Sequence, residues 1–147
     1  MATTLTLSDR GDHFACAHAG ALAQLDRYTF KGYPGKLFLQ ETLGLTSMEV
    51  SLNKLPAGAQ MPFSHSHREH EELYVFVRGN GQFQVDGRVI AVGEGTVLRV
   101  APQGERTWRN HSREDLYYIV IQATDGSLTA SGIADGVKSA APVVWPE

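Results

Sequence analysis

The segment PFSHSHREHEELYVFVRGNG, Pro62 to Gly81, carries three of the chain's six histidines: His65, His67 and His70. On an extended strand His65 and His67 point to the same side, because side chains alternate along a strand. Two neutral imidazoles and one carboxylate oxygen are donors that a first-row divalent metal takes at roughly 2.0–2.2 Å. Glu71 and Glu72 follow closely, and on a strand only one of the pair faces inward. Parity favours Glu72, which shares a face with Tyr74 and Phe76, while Glu71 turns away with Leu73 and Val75. His70 is expected in the bend between the two strands, as a solvated loop histidine.

The elements that must hold these residues read as strands. Met48, Val50 and Leu52 alternate with Glu49, Ser51 and Asn53, the two-residue period of a half-buried strand. LYVFV, QFQV, RVIAV, TVLRV and LYYIVIQA are rich in β-branched and aromatic residues, and Asp86-Gly87 between the second and third of them is a hairpin signal. In all, about eight to ten short strands are expected, with turn signals roughly every 8 to 12 residues, the spacing of an all-β sandwich or barrel. Cys16 to Leu25 is the best helical candidate, weakened by Gly20. TFKGYPGK reads as a turn-rich loop with Tyr33 and Lys36 solvated near the barrel mouth. The segment from Gly126 onward reads as an extended tail.

Composition sets the frame. At 147 residues, with 42% hydrophobic and 20% charged residues, the chain is expected to form one domain, 1–147, with its core over roughly 37–123. A net charge of −3 gives no basic excess for a phosphate backbone, so nucleic acid is not an expected partner. No stretch approaches the roughly 20 apolar residues of a membrane span. With the lone Cys16, this leaves a cytoplasmic protein as the default expectation. No Gly-x-Ser-x-Gly elbow, P-loop or dinucleotide glycine pattern is present.

The stretch from Gly58 to Gly79 resembles the first motif of the cupin superfamily, in which a glycine precedes His-x-His, a glutamate follows, and a glycine ends the strand six residues later. GTVLRVAPQGERTWRN, Gly95 to Asn110, resembles the second motif, with its Pro-x-Gly turn and closing asparagine. The resemblance implies a cupin-like jelly-roll β-barrel with a divalent metal ion (Zn, Ni, Mn or Fe) inside its mouth. His65, His67 and Glu72 match three of the family's ligands. It also implies a small-molecule ligand, chemistry of the isomerase or dioxygenase type on a sugar-like or organic-acid molecule, and a homodimer.

The second motif departs from the pattern, because the histidine expected between the turn and the asparagine is missing. Counting forward from Pro102 places Thr107 there, and counting back from Asn110 places Arg106 there. An arginine has no lone pair for a metal, and its charge opposes a cation nearby. Three arrangements follow. Thr107 and Arg109 face inward and leave a three-residue metal site with open positions, the preferred arrangement. Alternatively, Arg106 faces inward and pairs with Glu72 or an anion, giving a metal-free, non-catalytic binding module. In the third, His111, His70 or His13 completes the shell. Trp108, beside both candidate positions, is a stacking surface for a flat or sugar-like ligand, and Tyr74 is a further candidate contact.

Overall fold

The computed structural model describes residues 3–147. The N-terminal region forms a hairpin of β1 (Leu7–Gly11) and β2 (Phe14–Ala17), a 3₁₀ helix (Leu22–Arg27), and the two-residue strands β3 (Thr29–Phe30) and β4 (Tyr33–Pro34). The barrel is built from β5 (Lys36–Phe38), the single helical turn α1 (Gln40–Leu43), β6 (Glu49–Leu55), β7 (His70–Arg78), β8 (Asn80–Val85), β9 (Arg88–Gly93), β10 (Val97–Val100), β11 (Arg106–Arg109) and β12 (Leu116–Thr124). The expected helix over Cys16 to Leu25 is thus a strand followed by a 3₁₀ helix. Gly20 takes a left-handed φ of 83° between them, which stops any helix from running through. Among the described residues no helix is long and apolar enough to cross a membrane.

Two sheets face each other. One has the order β10-β7-β12-β6-β5 and the other β11-β8-β9, with all pairs antiparallel. The chain is all-β, a cupin-like jelly roll. The hairpin between β8 and β9 turns on Asp86 and Gly87, both with positive φ, as the dipeptide predicts. Gly79 separates β7 from β8 at a φ of 92°, where a Cβ would collide with the Asp115 carbonyl oxygen, so the tight passage requires glycine.

The core lies between the sheets. Tyr74, Phe76, Phe83, Trp108, Leu116, Tyr118 and Val120 pack as one buried cluster. Phe83 and Trp108 stack with parallel rings 5.5 Å apart, and Tyr74 meets both edge-on at 4.7 and 5.3 Å. Such contacts fix ring positions and add to the burial itself.

A second apolar cluster lies outside the barrel, where Leu5, Leu25, Tyr28 and Leu37 pack with Leu52. The N-terminal segment therefore covers the apolar outer face of β5 and β6. The alternate residues of β6, Ser51 and Asn53, are turned inward and are each only 2% exposed. A polar patch buried in a barrel wall is costly unless it is hydrogen-bonded or serves a ligand.

Candidate metal centre

The period-two geometry of β7 turns Glu72, Tyr74 and Phe76 into the barrel, as parity requires. His65 and His67 come from the extended segment just before β7, which runs along β11. The His65 N–H donates to the Arg106 carbonyl at 2.9 Å, and the Arg106 N–H returns the bond at 2.9 Å. The His67 N–H is held by the Pro102 carbonyl at 2.8 Å, so both imidazoles sit on a fixed backbone.

The three side chains converge on one carboxylate oxygen. Glu72 Oε1 lies 3.6 Å from His65 Nε2 and 3.2 Å from His67 Nε2, and it accepts a 2.7 Å hydrogen bond from the Tyr74 hydroxyl. The donor atoms of His65, His67 and Glu72 all lie within 4.8 Å of one another. Ligands bonded to one small cation at roughly 2.1 Å sit about 3.0–3.5 Å apart, which the 3.2 and 3.6 Å separations of the histidines from Glu72 approach. His67 Nε2 is buried without a hydrogen-bond partner, as an imidazole nitrogen reserved for a ligand would be.

The electrostatics point the same way. Burial lowers the pKa of His67, and neighbouring His65 and Arg106 add to this against the pull of Glu72. The imidazole therefore favours the neutral form that ligates metals. For Glu72 burial opposes ionisation. It is outweighed by the polar contacts of His65 and Tyr74 and by the charges of His67 and Arg106, so the pKa falls to about 2. The Tyr74 hydroxyl, buried beside this carboxylate, is pushed well above its ordinary range and stays a donor.

The structure reverses the preferred parity of the second motif. Arg106 and Trp108 face inward, paired across the sheet with Val85 and Phe83, while Thr107 and Arg109 face outward opposite Gln84 and Gln82. The physical reason is register: a one-residue slip would expose Trp108 to solvent and break its stack on Phe83. Thr107 thus lies outside the cavity at the histidines, in an outer groove with Gln82, Gln84 and Arg109, and its hydroxyl donates to the Phe63 carbonyl at 3.1 Å. Arg109 is tied to Gln82 at 2.8 Å on the same outer face.

Arg106 occupies the region of the missing histidine and faces inward beside Glu72, as the second arrangement expects. It is 0% exposed, its Nη2 donates to the Ala101 carbonyl at 2.9 Å, and its Nε stands 3.8 Å from Glu72 Oε1. Its Nε and Nη1 have no hydrogen-bond partner. Trp108 lines the cavity but is held in place, donating from Nε1 to the Tyr118 hydroxyl at 2.8 Å.

His70 is not in a bend. It opens β7 on the same face as Glu72, half-buried, with Nδ1 2.8 Å from Gln122 Oε1. His13 and His111 are exposed, and the group of potential metal donors found among the described residues is His65, His67 and Glu72 alone.

A cavity of about 290 Å³ opens at this group, lined by His65, His67, Glu72, Tyr74 and Trp108 together with Lys36, Phe38, Ser51 and Gln122, the last of these on β12 directly beside Glu72. Lys36, expected to be solvated, and Ser51 were not singled out from sequence as pocket residues. The available signal was the polar alternation of β6, with Asn53 opposite Lys36 in the next strand.

The donor set therefore fits a divalent ion with three protein ligands and open positions. Comparison with known proteins agrees with the fold around it. The family model described as Cupin domain matches residues 51–122. A crystal structure of a cupin protein from Bacteroides fragilis is 40% identical with a TM-score of 0.68, covering 71% of this chain and 88% of that one. An RmlC-like cupin protein from Desulfovibrio desulfuricans is 26% identical with a TM-score of 0.52, covering 60% and 79%. A sugar phosphate isomerase of the cupin superfamily from Silicibacter pomeroyi is 22% identical with a TM-score of 0.55, covering 60% and 59%, a likeness of fold alone. Among curated proteins nothing matches. With the His-x-His and glutamate of the first motif gathered in the mouth of a jelly roll, and a relative that is 40% identical over most of its length, the chain belongs to the cupin family.

Proposed function

We propose that this chain holds one divalent first-row metal through His65, His67 and Glu72 and acts on a small organic molecule in the adjoining cavity, as an isomerase or dioxygenase. The observation that carries this reading is the convergence of two imidazole Nε2 atoms on a single ionised carboxylate oxygen at a cavity wall. When bound, the ion supplies a Lewis acid for a carbonyl or hydroxyl of the substrate, or a site for dioxygen. Tyr74 keeps Glu72 oriented through its 2.7 Å hydrogen bond, and the aromatic cluster behind it fixes the Tyr74 ring. The alternative, a metal-free anion module built on Arg106, has less support because the guanidinium is fully buried behind the cavity lining.

Protein purified without added metal is expected to carry one of zinc, nickel, manganese or iron near unit stoichiometry by elemental analysis, and His67→Ala is expected to lose it. A wild-type chain that stays metal-free even after incubation with each of these ions would sink the proposal.

The working unit is proposed to be a homodimer. The C-terminal tail leaves Val143, Val144 and Trp145 80–83% exposed and Ile133 93% exposed, an apolar segment of the kind a second copy covers. Light scattering is expected to give twice the chain mass at micromolar concentration, and a clean monomer would remove the idea.

A further inference from the structure

The cation that a ligand would meet in the cavity is Lys36, since Arg106 is walled off. Lys36 enters the cavity from the edge strand β5, opposite Asn53 of β6. Its Nζ donates to Asn53 Oδ1 at 3.0 Å and sits 4.9 Å over the Phe38 ring. The orientation of Asn53 is not arbitrary. Its Nδ2 donates to the Ser51 carbonyl at 3.1 Å and to Ser51 Oγ at 2.9 Å, which leaves Oδ1 pointing at the lysine.

One of the three ammonium donors is thereby used, and among the described residues no carboxylate forms an ion pair with it. The nearest acidic group on β6, Glu49, is engaged elsewhere, accepting from the N–H groups of Gln40 and Val50 at 3.0 Å each. Burial works against the ammonium, and the charges of Glu72 and Glu49 favour it only from a distance. A half-buried ammonium with no carboxylate in direct contact, held by a buried amide in a cavity wall, is a prepared position for an anion.

We propose that Lys36, oriented by Asn53, binds a carboxylate of the ligand, so that the substrate class of this site is a small organic acid. The inference rests on the cavity being the ligand site, and it deepens the reading given above. A carboxylate suits one ammonium because a single negative charge matches it, whereas a phosphoryl group carries close to two and draws on further donors beside a lysine. No helix N-terminus and no arginine lines this cavity. Lys36 and Glu72 lie in one sheet with β6 and β12 between their strands, at two places along the same cavity lining. An acid anchored at Lys36 can therefore direct its other end toward the histidines.

The test uses the full chain labelled with ¹³C at lysine Cε, stripped of metal and then reloaded with zinc, with succinate as the probe. The resonance lost in Lys36→Gln assigns Lys36 among Lys31, Lys54 and Lys138. Succinate is expected to shift this resonance saturably, with or without zinc, and Lys36→Gln is expected to bind succinate at least tenfold more weakly. Lys36→Arg, which keeps the charge, retains most of the affinity, and circular dichroism of both variants checks that they fold. No saturable shift at Lys36, equal affinity in Lys36→Gln, or binding of neutral succinamide or inorganic phosphate as tight as that of succinate would each overturn the proposal. Failure of the metal reading is distinguishable, because it appears as missing zinc stoichiometry while the Lys36 shift remains.

Discussion

Glu72→Gln is expected to lose stoichiometric metal and to destabilise the fold by about 3 to 5 kcal/mol at neutral pH. Glutamine keeps the volume and an oxygen for the Tyr74 hydroxyl, so packing is nearly conserved while the charge disappears. What remains is the guanidinium of Arg106, fully buried and 3.8 Å from the former carboxylate oxygen, with Nε and Nη1 already unpartnered. Removing one member of a buried pair costs about that much because the other is left uncompensated. The ionisation of Glu72 points the same way, against its burial and through His65 and Tyr74 more than through His67 and Arg106. The Glu72 pKa falls from 4.5 to about 2 in the folded protein, and each unit corresponds to about 1.4 kcal/mol, so ionisation of this group contributes about 3 kcal/mol. Because the folded value is the lower one, that contribution is complete above pH 4.5 and is lost as the pH falls toward 2. Urea unfolding followed by circular dichroism at pH 7, 4.5 and 3 checks both statements. Wild type should weaken across the acid window by more than Glu72→Gln does. A variant as stable as wild type at pH 7 would show that the carboxylate does not compensate Arg106.

Much of the site was legible in the sequence because the relevant rule is local. Strand alternation alone puts His65 with His67, and Glu72 with Tyr74 and Phe76, and the structure keeps those faces. The hairpin at Asp86-Gly87 is equally local, since it depends on the φ values of two residues. What alternation cannot say is which face turns inward, because that depends on what covers the other side. On β6 Leu52 is claimed by an N-terminal segment lying outside the barrel, so Ser51 and Asn53 turn inward. On β11 two arginines and a threonine flank one tryptophan. Its stack on Phe83, 25 residues earlier in the chain and not predictable from spacing, decides that Arg106 goes in with Trp108 and Thr107 stays out. Lys36 was hidden for a related reason. Its position after Gly32, Pro34 and Gly35 reads as loop, yet pairing with Asn53 makes it the first residue of a barrel strand.

Arg106→Gln is expected to bind zinc at least tenfold more tightly than wild type, and Arg106→His more tightly still. A metal held by His65, His67 and Glu72 would share Glu72 with the guanidinium. Two unit positive charges about 4 Å apart oppose each other by roughly 4 kcal/mol at an effective dielectric of 20, and a divalent ion doubles that, so even strong screening leaves more than about tenfold in affinity. Glutamine removes that charge and can still donate to the Ala101 carbonyl now served by Nη2. Histidine removes it and adds a nitrogen donor where the family pattern has one, so the difference between the two variants isolates the added ligand from the lost charge. Both variants should be less stable than wild type when metal-free, since Glu72 loses its buried counter-charge, and zinc should restore stability by mass action. Competition against a chelator of known affinity, with urea unfolding of the metal-free and zinc-loaded forms, measures both effects. If neither variant binds zinc more tightly, Arg106 is not the charge that opposes the ion. If glutamine and histidine bind it equally, the fourth position is filled by solvent or substrate whichever side chain stands at 106. That result would keep the three-residue site, with its open positions facing the cavity.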